Sequence, residues 1–250
     1  MDLTHHNFFA SDGTRLAWHE MGEGRPVVLI HGLFSSAEIN WIKYGHAKRI
    51  AEPGRRVIMP DLRAHGASDK PHEAEHYPPD ILSRDALELI AHLGLTDYDL
   101  GGYSLGARTA LRTVLMGATP KRLIIAGMGL GGILDARSRS AHFERVLSAP
   151  GTFERGSPEW LAEAFLKTTK GDPKALLPLL QSFVDTPESE LARIAQPTLV
   201  LAGDQDHDNG SAAELGQRLP NAQYVEIPGT HMSVVTTPAF GQAIATFLDA

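Results

Sequence analysis

Pro26-Val27-Val28-Leu29-Ile30 is an unbroken apolar run rich in β-branched residues, the pattern of a strand that is covered on both faces. Similar runs recur at Arg56-Val57-Ile58-Met59, Arg122-Leu123-Ile124-Ile125-Ala126, Thr198-Leu199-Val200-Leu201-Ala202 and Tyr224-Val225-Glu226-Ile227, with a shorter one around Tyr98 and Leu100. Between them lie helical spacings. Asp80 to Leu93 carries Ile81, Leu82, Ala86, Leu89 and Ile90 on one stripe, and Ala107 to Met116 is rich in Ala and Leu. Asn7 to Ala10 and Arg15 to Glu20 flank the turn signal Ser11-Asp12-Gly13 and read as an opening hairpin. Strands alternating with helices predict an α/β chain with a mostly parallel, doubly wound sheet of about eight strands.

One stretch breaks the alternation. From residue 130 to 194 the sequence predicts helices without strands, over Ser138 to Leu147, Pro158 to Thr168, Pro173 to Val184 and Glu188 to Ile194. Ser157-Pro158 and Asp172-Pro173 have the form of a helix cap followed by a first-turn proline. The expected organisation is therefore a core of residues 1–129 and 195–250, with 130–194 as a helical cap over the ends of the sheet. Apolar side chains of this cap, Phe143, Phe153, Trp160, Phe165, Leu177, Leu180 and Phe183, are candidates to line a pocket, together with Phe34 and Tyr103 of the core.

The 250 residues suffice for one large domain, whose folding hides about three quarters of the unfolded surface. A net charge of -7 without a basic run argues against nucleic acid or an anionic membrane as partner. Zero cysteines exclude disulfides and thiol catalysis. The first residues show no basic, then apolar, leader pattern, so a cytoplasmic location is expected, with the chain acting as a monomer or homodimer.

Gly102-Tyr103-Ser104-Leu105-Gly106 follows the run at Tyr98 and precedes the helix at Ala107. A Gly-x-Ser-x-Gly segment between strand and helix forces a tight turn that lifts the serine above the sheet, beside the N–H groups that open the helix. A serine hydroxyl needs a base to take its proton. Of the twelve histidines, His231 stands in the loop after the last strand, at the carboxyl edge where open α/β sheets bind ligands. Gly203-Asp204-Gln205-Asp206 follows the strand before it. Asp206 is the preferred acid to orient the histidine, with Asp204 and Asp208 as alternatives. Backbone N–H groups of Leu105 and of Leu33, in His31-Gly32-Leu33-Phe34, are placed to face an oxyanion. His31 reads as a residue that shapes this loop.

These residues, together with Asp61-Leu62-Arg63-Ala64-His65-Gly66-Ala67-Ser68, occur in an order that resembles the α/β-hydrolase-fold serine hydrolases, carboxylesterase-like and with a small helical cap. Relatives that open epoxides or displace halide carry an aspartate at the elbow and a proline after the His-Gly pair, and Ser104 and Leu33-Phe34 speak against both. Ala64 replaces the glycine usual before His65-Gly66. The resemblance implies a Ser104, His231, Asp206 triad acting without a cofactor on esters of small, largely apolar acids. Lactonase and thioesterase chemistry on the same site, or a ligand receptor with little turnover, are the alternatives.

Three further signals read as structural. Gly127-Met128-Gly129-Leu130-Gly131-Gly132 fits a dinucleotide fingerprint but lacks the following strand and acid, so it reads as a flexible approach to the cap. Asp204-x-Asp206-x-Asp208 lacks the glycine and glutamate positions of a calcium loop, and no metal is expected. Arg63, Arg108, Arg137 and Arg139 read as solvated or ion-paired rather than as substrate contacts.

Overall fold

The computed structural model describes residues 1–250. The predicted strands form a single eight-stranded sheet of β1 (Leu3–Phe9), β2 (Arg15–Met21), β3 (Arg25–Ile30), β4 (Arg55–Pro60), β5 (Asp99–Tyr103), β6 (Leu123–Ala126), β7 (Thr198–Gly203) and β8 (Ala222–Ile227). Their order is β1-β2-β4-β3-β5-β6-β7-β8. β2 pairs antiparallel with β1 and with β4, and every other pairing is parallel.

The apolar runs are continuous because helices cover both faces. Val28 and Ile30 enter one hydrophobic cluster while Val27 and Leu29 enter the other, and all four are fully buried. Each such side chain contributes about 1.5–3 kcal/mol by leaving water. The first cluster is built with α2 (Ile81–His92) and α3 (Leu105–Leu115), the second with α1 (His46–Ala51) and the last helix, Pro238–Asp249. From β3 the chain steps to one side to make β4 and later returns to the other side to make β5. The loops leaving β3 and β5 therefore diverge at the centre of the sheet's carboxyl edge, where a crevice opens.

Between β6 and β7 lie α4 (Leu130–Leu134), α5 (Ala136–Ser148), α6 (Pro158–Thr168), α7 (Pro173–Gln181) and the 3-10 turn Glu188–Arg193, and no strand. The predicted caps are present. Ser157 Oγ accepts from Trp160 N–H at 3.1 Å, and Asp172 Oδ1 accepts from Lys174 N–H at 2.9 Å. α7 stops at Gln181, short of the predicted Val184. The Ser182 carbonyl turns to accept the Asp80 N–H of the core at 2.9 Å.

The glycine-rich segment after β6 is packed rather than open. A Cβ at Gly129 would stand 2.1 Å from the Gly210 carbonyl oxygen, and Gly132 N–H donates to Asn209 O at 2.8 Å. Its glycines admit a backbone contact with the loop after β7, which nothing in the local sequence announces. β8 (Ala222–Ile227) has β7 as its single neighbour. No helix is long and apolar enough to cross a membrane.

Candidate active site

Ser104 stands between β5 and α3 with φ 53° and ψ -116°, a strained conformation for a residue with a side chain. The strain is held in place by close packing. A Cβ at Gly102 would lie 2.3 Å from the Gly106 carbonyl carbon, and one at Gly106 would lie 2.1 Å from Ile30 O. Only glycines allow β3, the turn and α3 to approach so closely, and the result points Ser104 into the crevice.

The histidine and the acid arrive on two loops pressed together at the carboxyl ends of β7 and β8. A Cβ at Gly203 would lie 2.0 Å from Gly229 O, and Gln205 N–H donates to the same carbonyl at 3.0 Å. Asp204, an alternative acid on sequence grounds, instead accepts Gly229 N–H at 2.8 Å and ties the loops together. Asp206 accepts from His231 Nδ1 at 2.9 Å and 3.1 Å, and His231 Nε2 lies 3.1 Å from Ser104 Oγ. The Nδ1–H tautomer follows, leaving Nε2 free to take the serine proton. Asp206 is 8 % exposed, so little water competes for its carboxylate. Asp206, Asp208 and His231 each bring one ligand atom within 4.8 Å of the others. A cation there would have to draw Asp206 and His231 out of this relay.

The loop after β3 is fixed by buried polar groups. His31 is fully buried, its Nδ1–H donating to Gly32 O at 2.8 Å while Nε2 accepts Leu62 N–H at 3.0 Å. With both nitrogens engaged it cannot serve as a base, and burial holds its pKa below the usual histidine value. His65 has the same arrangement, donating to Arg63 O at 2.9 Å and accepting Phe34 N–H at 3.1 Å, and burial pushes its pKa down to about 3. Burial works against the charge of Asp61, but hydrogen bonds from His19 and from the N–H groups of Ala67 and Ala37, with His31 nearby, hold its carboxyl well below the usual range. Asn40 Oδ1 accepts Gly32 N–H at 2.8 Å. With Gly32 and Phe34 N–H so engaged, Leu33 N–H makes no hydrogen bond within the chain, and neither does Leu105 N–H at the start of α3.

A cleft of about 300 Å³ opens over Ser104 and His231. Its apolar walls include Leu33, Ile39, Tyr103, Phe165, Met232 and Val235. Of the aromatic residues expected to line it, Tyr103 and Phe165 do and the others do not. Phe34 is buried and packs edge-on against Phe143, their centroids 5.5 Å apart. Phe183 is buried beneath the guanidinium of Arg108, and Trp160 on α6 stays off the cleft wall, where Phe165 from the same helix takes the place. Asn40 and Ile39, which no strong sequence pattern marks, also line it. They sit on a single π-helical turn, Glu38–Ile42, whose only local signal is a polar residue between Ile39 and the buried Trp41.

Residues 27–240 match the alpha/beta hydrolase family. The chain belongs to this family. It is 27% identical to a non-heme haloperoxidase of Rhodococcus erythropolis, over 92% of this chain and 93% of that one. Among solved structures it resembles an esterase from Thermogutta terrifontis, with a TM-score of 0.76, 24% identity and 98% of each chain covered. It also resembles a bromoperoxidase from Bacillus anthracis, with a TM-score of 0.74, 23% identity, and 98% of this chain and 100% of that one covered. At such identities the two structures speak for the fold, and the chain's own residues must carry the chemistry.

Proposed function

We propose that this hydrolase-family chain is a serine esterase for carboxylic esters of small, largely apolar acids. The reading is carried by the line of hydrogen bonds from Asp206 through His231 to Ser104, beside two backbone N–H groups with no partner of their own. Ser104 Oγ attacks the ester carbonyl carbon as its proton passes to His231 Nε2. The oxygen that gains negative charge meets the N–H groups of Leu33 and Leu105, an arrangement worth about 10²–10³ in rate per donor. Collapse of the tetrahedral species expels the alkoxide, which takes the proton from His231. Water then gives a proton to His231 as it attacks the acyl carbon, and the C–Oγ bond breaks as Ser104 takes that proton back and the acid leaves. Asp206 stabilises the imidazolium at each transfer without itself taking the proton.

In this reading residues 130–194 act as the lid, and α6 closes the cleft with Phe165. A cleft of about 300 Å³ with apolar walls suits a short acyl chain. Likeness to a haloperoxidase along most of its length supports a second reading. Hydrogen peroxide in place of water at the deacylation step would release a peracid, which oxidises halide.

The test is multiple-turnover hydrolysis of 4-nitrophenyl esters of increasing acyl length by the protein and by its Ser104→Ala variant. Turnover by the parent that the substitution abolishes is the expected result. Equal turnover by both, or a stoichiometric burst alone, rejects the esterase reading, the latter in favour of a receptor. Halide oxidation that needs both peroxide and a short-chain acid would favour the peracid route.

A further inference from the structure

Three of the arginines singled out in the sequence differ in what they touch. Arg63 is a structural ion-pair residue, 1 % exposed and bonded to both Asp12 and Asp85. Burial opposes its charge, but these two carboxylates hold the guanidinium well above its ordinary pKa. Arg137 Nε reaches the Phe183 carbonyl at 3.3 Å. Arg108 is different. It is 8 % exposed, and its guanidinium makes no ion pair and no hydrogen bond with any group of the protein.

What surrounds Arg108 explains why it stays unpaired. The nearest carboxylates are committed elsewhere. Asp80 is held in a two-point ion pair by Arg112, and Asp185 accepts the Arg137 N–H at 2.9 Å. Ser182 Oγ donates to Leu179 O, and Ser83 Oγ donates to Thr109 O. On one side the guanidinium lies over the Phe183 ring, 3.8 Å from its centroid. On the other is a cavity of about 20 Å³ lined by Asp80, Ser83, Leu105, Arg112 and Ser182. Two cations and one carboxylate face it, leaving one positive charge over. Burial lowers the guanidinium pKa to about 10, so Arg108 remains cationic at neutral pH. With no protein group on any of its five donors, the guanidinium is left to whatever fills the cavity, water or an anion.

We propose that Arg108 is the base of a binding site for a small carboxylate, one helical turn behind Ser104. Its N–H donates to the Ser104 carbonyl at 3.2 Å, and its cavity shares the side chain of Leu105 with the candidate oxyanion donor. A single water occupies roughly 10–15 Å³ of such space, so the cavity admits a carboxylate end group and little more. The planar fork of a guanidinium suits the two oxygens of a carboxylate. That group is either a free short-chain carboxylate ion or the far end of an acidic substrate.

Two measurements separate these sources. In the first, acetate is titrated into the protein and its Arg108→Gln and Arg108→Lys variants while thermal unfolding is followed, with ionic strength held by the bulky MOPS anion. The parent is expected to show a saturable rise in midpoint that Arg108→Gln abolishes and Arg108→Lys weakens. This arm needs no turnover, so it is readable even if the esterase reading fails. Arg108→Lys alone gives the comparison if the glutamine variant does not fold. In the second, kcat/KM is compared for 4-nitrophenyl butyrate and the mono-4-nitrophenyl ester of glutaric acid. If the substrate supplies the carboxylate, Arg108→Gln lowers the acidic-to-neutral ratio by roughly tenfold or more. If the ratio is unchanged while the acetate response is lost, the free ion is the ligand. An acetate response that survives Arg108→Gln, or the absence of both effects, overturns the proposal and leaves water and the Phe183 ring as sufficient partners.

Discussion

The hydroxyl of Tyr103 donates to the main-chain carbonyl of His231, and the two rings lie 5.1 Å apart. The residue before the candidate nucleophile thus holds the backbone of the residue that faces it. Burial first, and then the charges of Asp206 and Asp208, push the Tyr103 pKa well above its ordinary value, so the hydroxyl keeps its proton and remains a donor. A buried hydrogen bond of this kind is worth about 1 kcal/mol. Tyr103→Phe should lower kcat about fivefold with little change in KM, because the loop of His231 is loosened while the cleft keeps its shape. An unaltered kcat would show that Asp206 alone holds the imidazole.

Asp206→Asn separates geometry from electrostatics. The amide keeps the shape of the side chain but offers a donor and loses the negative charge that favours the Nδ1–H tautomer. Esterase kcat should fall about 10⁴-fold. Circular dichroism and the unfolding midpoint should stay near those of the parent. Asp204→Asn removes a carboxylate that ties the two loops and does not face His231, so its larger effect should be on stability. The reverse ranking in rate would assign the acid to Asp204.

Ala64, just before His65-Gly66, has a φ of 67° and is fully buried. A left-handed conformation costs a residue with a Cβ about 1–2 kcal/mol. Ala64→Gly should therefore raise stability by about 1 kcal/mol in urea unfolding, the relief of strain outweighing the greater freedom of glycine in the unfolded chain. A loss of stability would mean that the Ala64 methyl contributes more by packing than it costs in strain.

His31 and His65 link the oxyanion loop to pH. Both have folded pKa values below the unfolded value of 6.5, in each case because of burial, and that of His65 lies near 3. Below pH 6.5 the unfolded chain takes up protons that the folded chain refuses, so their contribution to stability is complete at neutral pH and declines as pH falls. Each histidine contributes up to about 1.4 kcal/mol per pH unit in that window. Urea unfolding between pH 7 and 5 should show this decline, and His65→Gln should make it shallower by about one proton. An unchanged slope in the variant would contradict the assigned state of His65.

Much of this site is legible in the sequence because it depends on local rules. The β-branched runs of β3 and β7 mark strands covered on both faces. The paired glycines around Ser104 mark a turn without space for a side chain. Ser157-Pro158 and Asp172-Pro173 mark helix starts within one or two residues. The order of Ser104, Asp206 and His231 after successive strands also brings them to one edge, since parallel strands all end on the same side. Tertiary structure decided what depends on residues distant in sequence. It placed Asp206 on His231 and used Asp204 to tie the loops, because Gly203 is pressed against Gly229. It turned Phe34 and Phe183 into packing and chose Phe165 over Trp160 from the candidates on one helix, because the tilt of a helix on a sheet is set by all the side chains beneath it. It also left Arg108 buried without a partner, because Arg112 and Arg137 engage the acidic residues nearest to it, a competition that composition and spacing do not record.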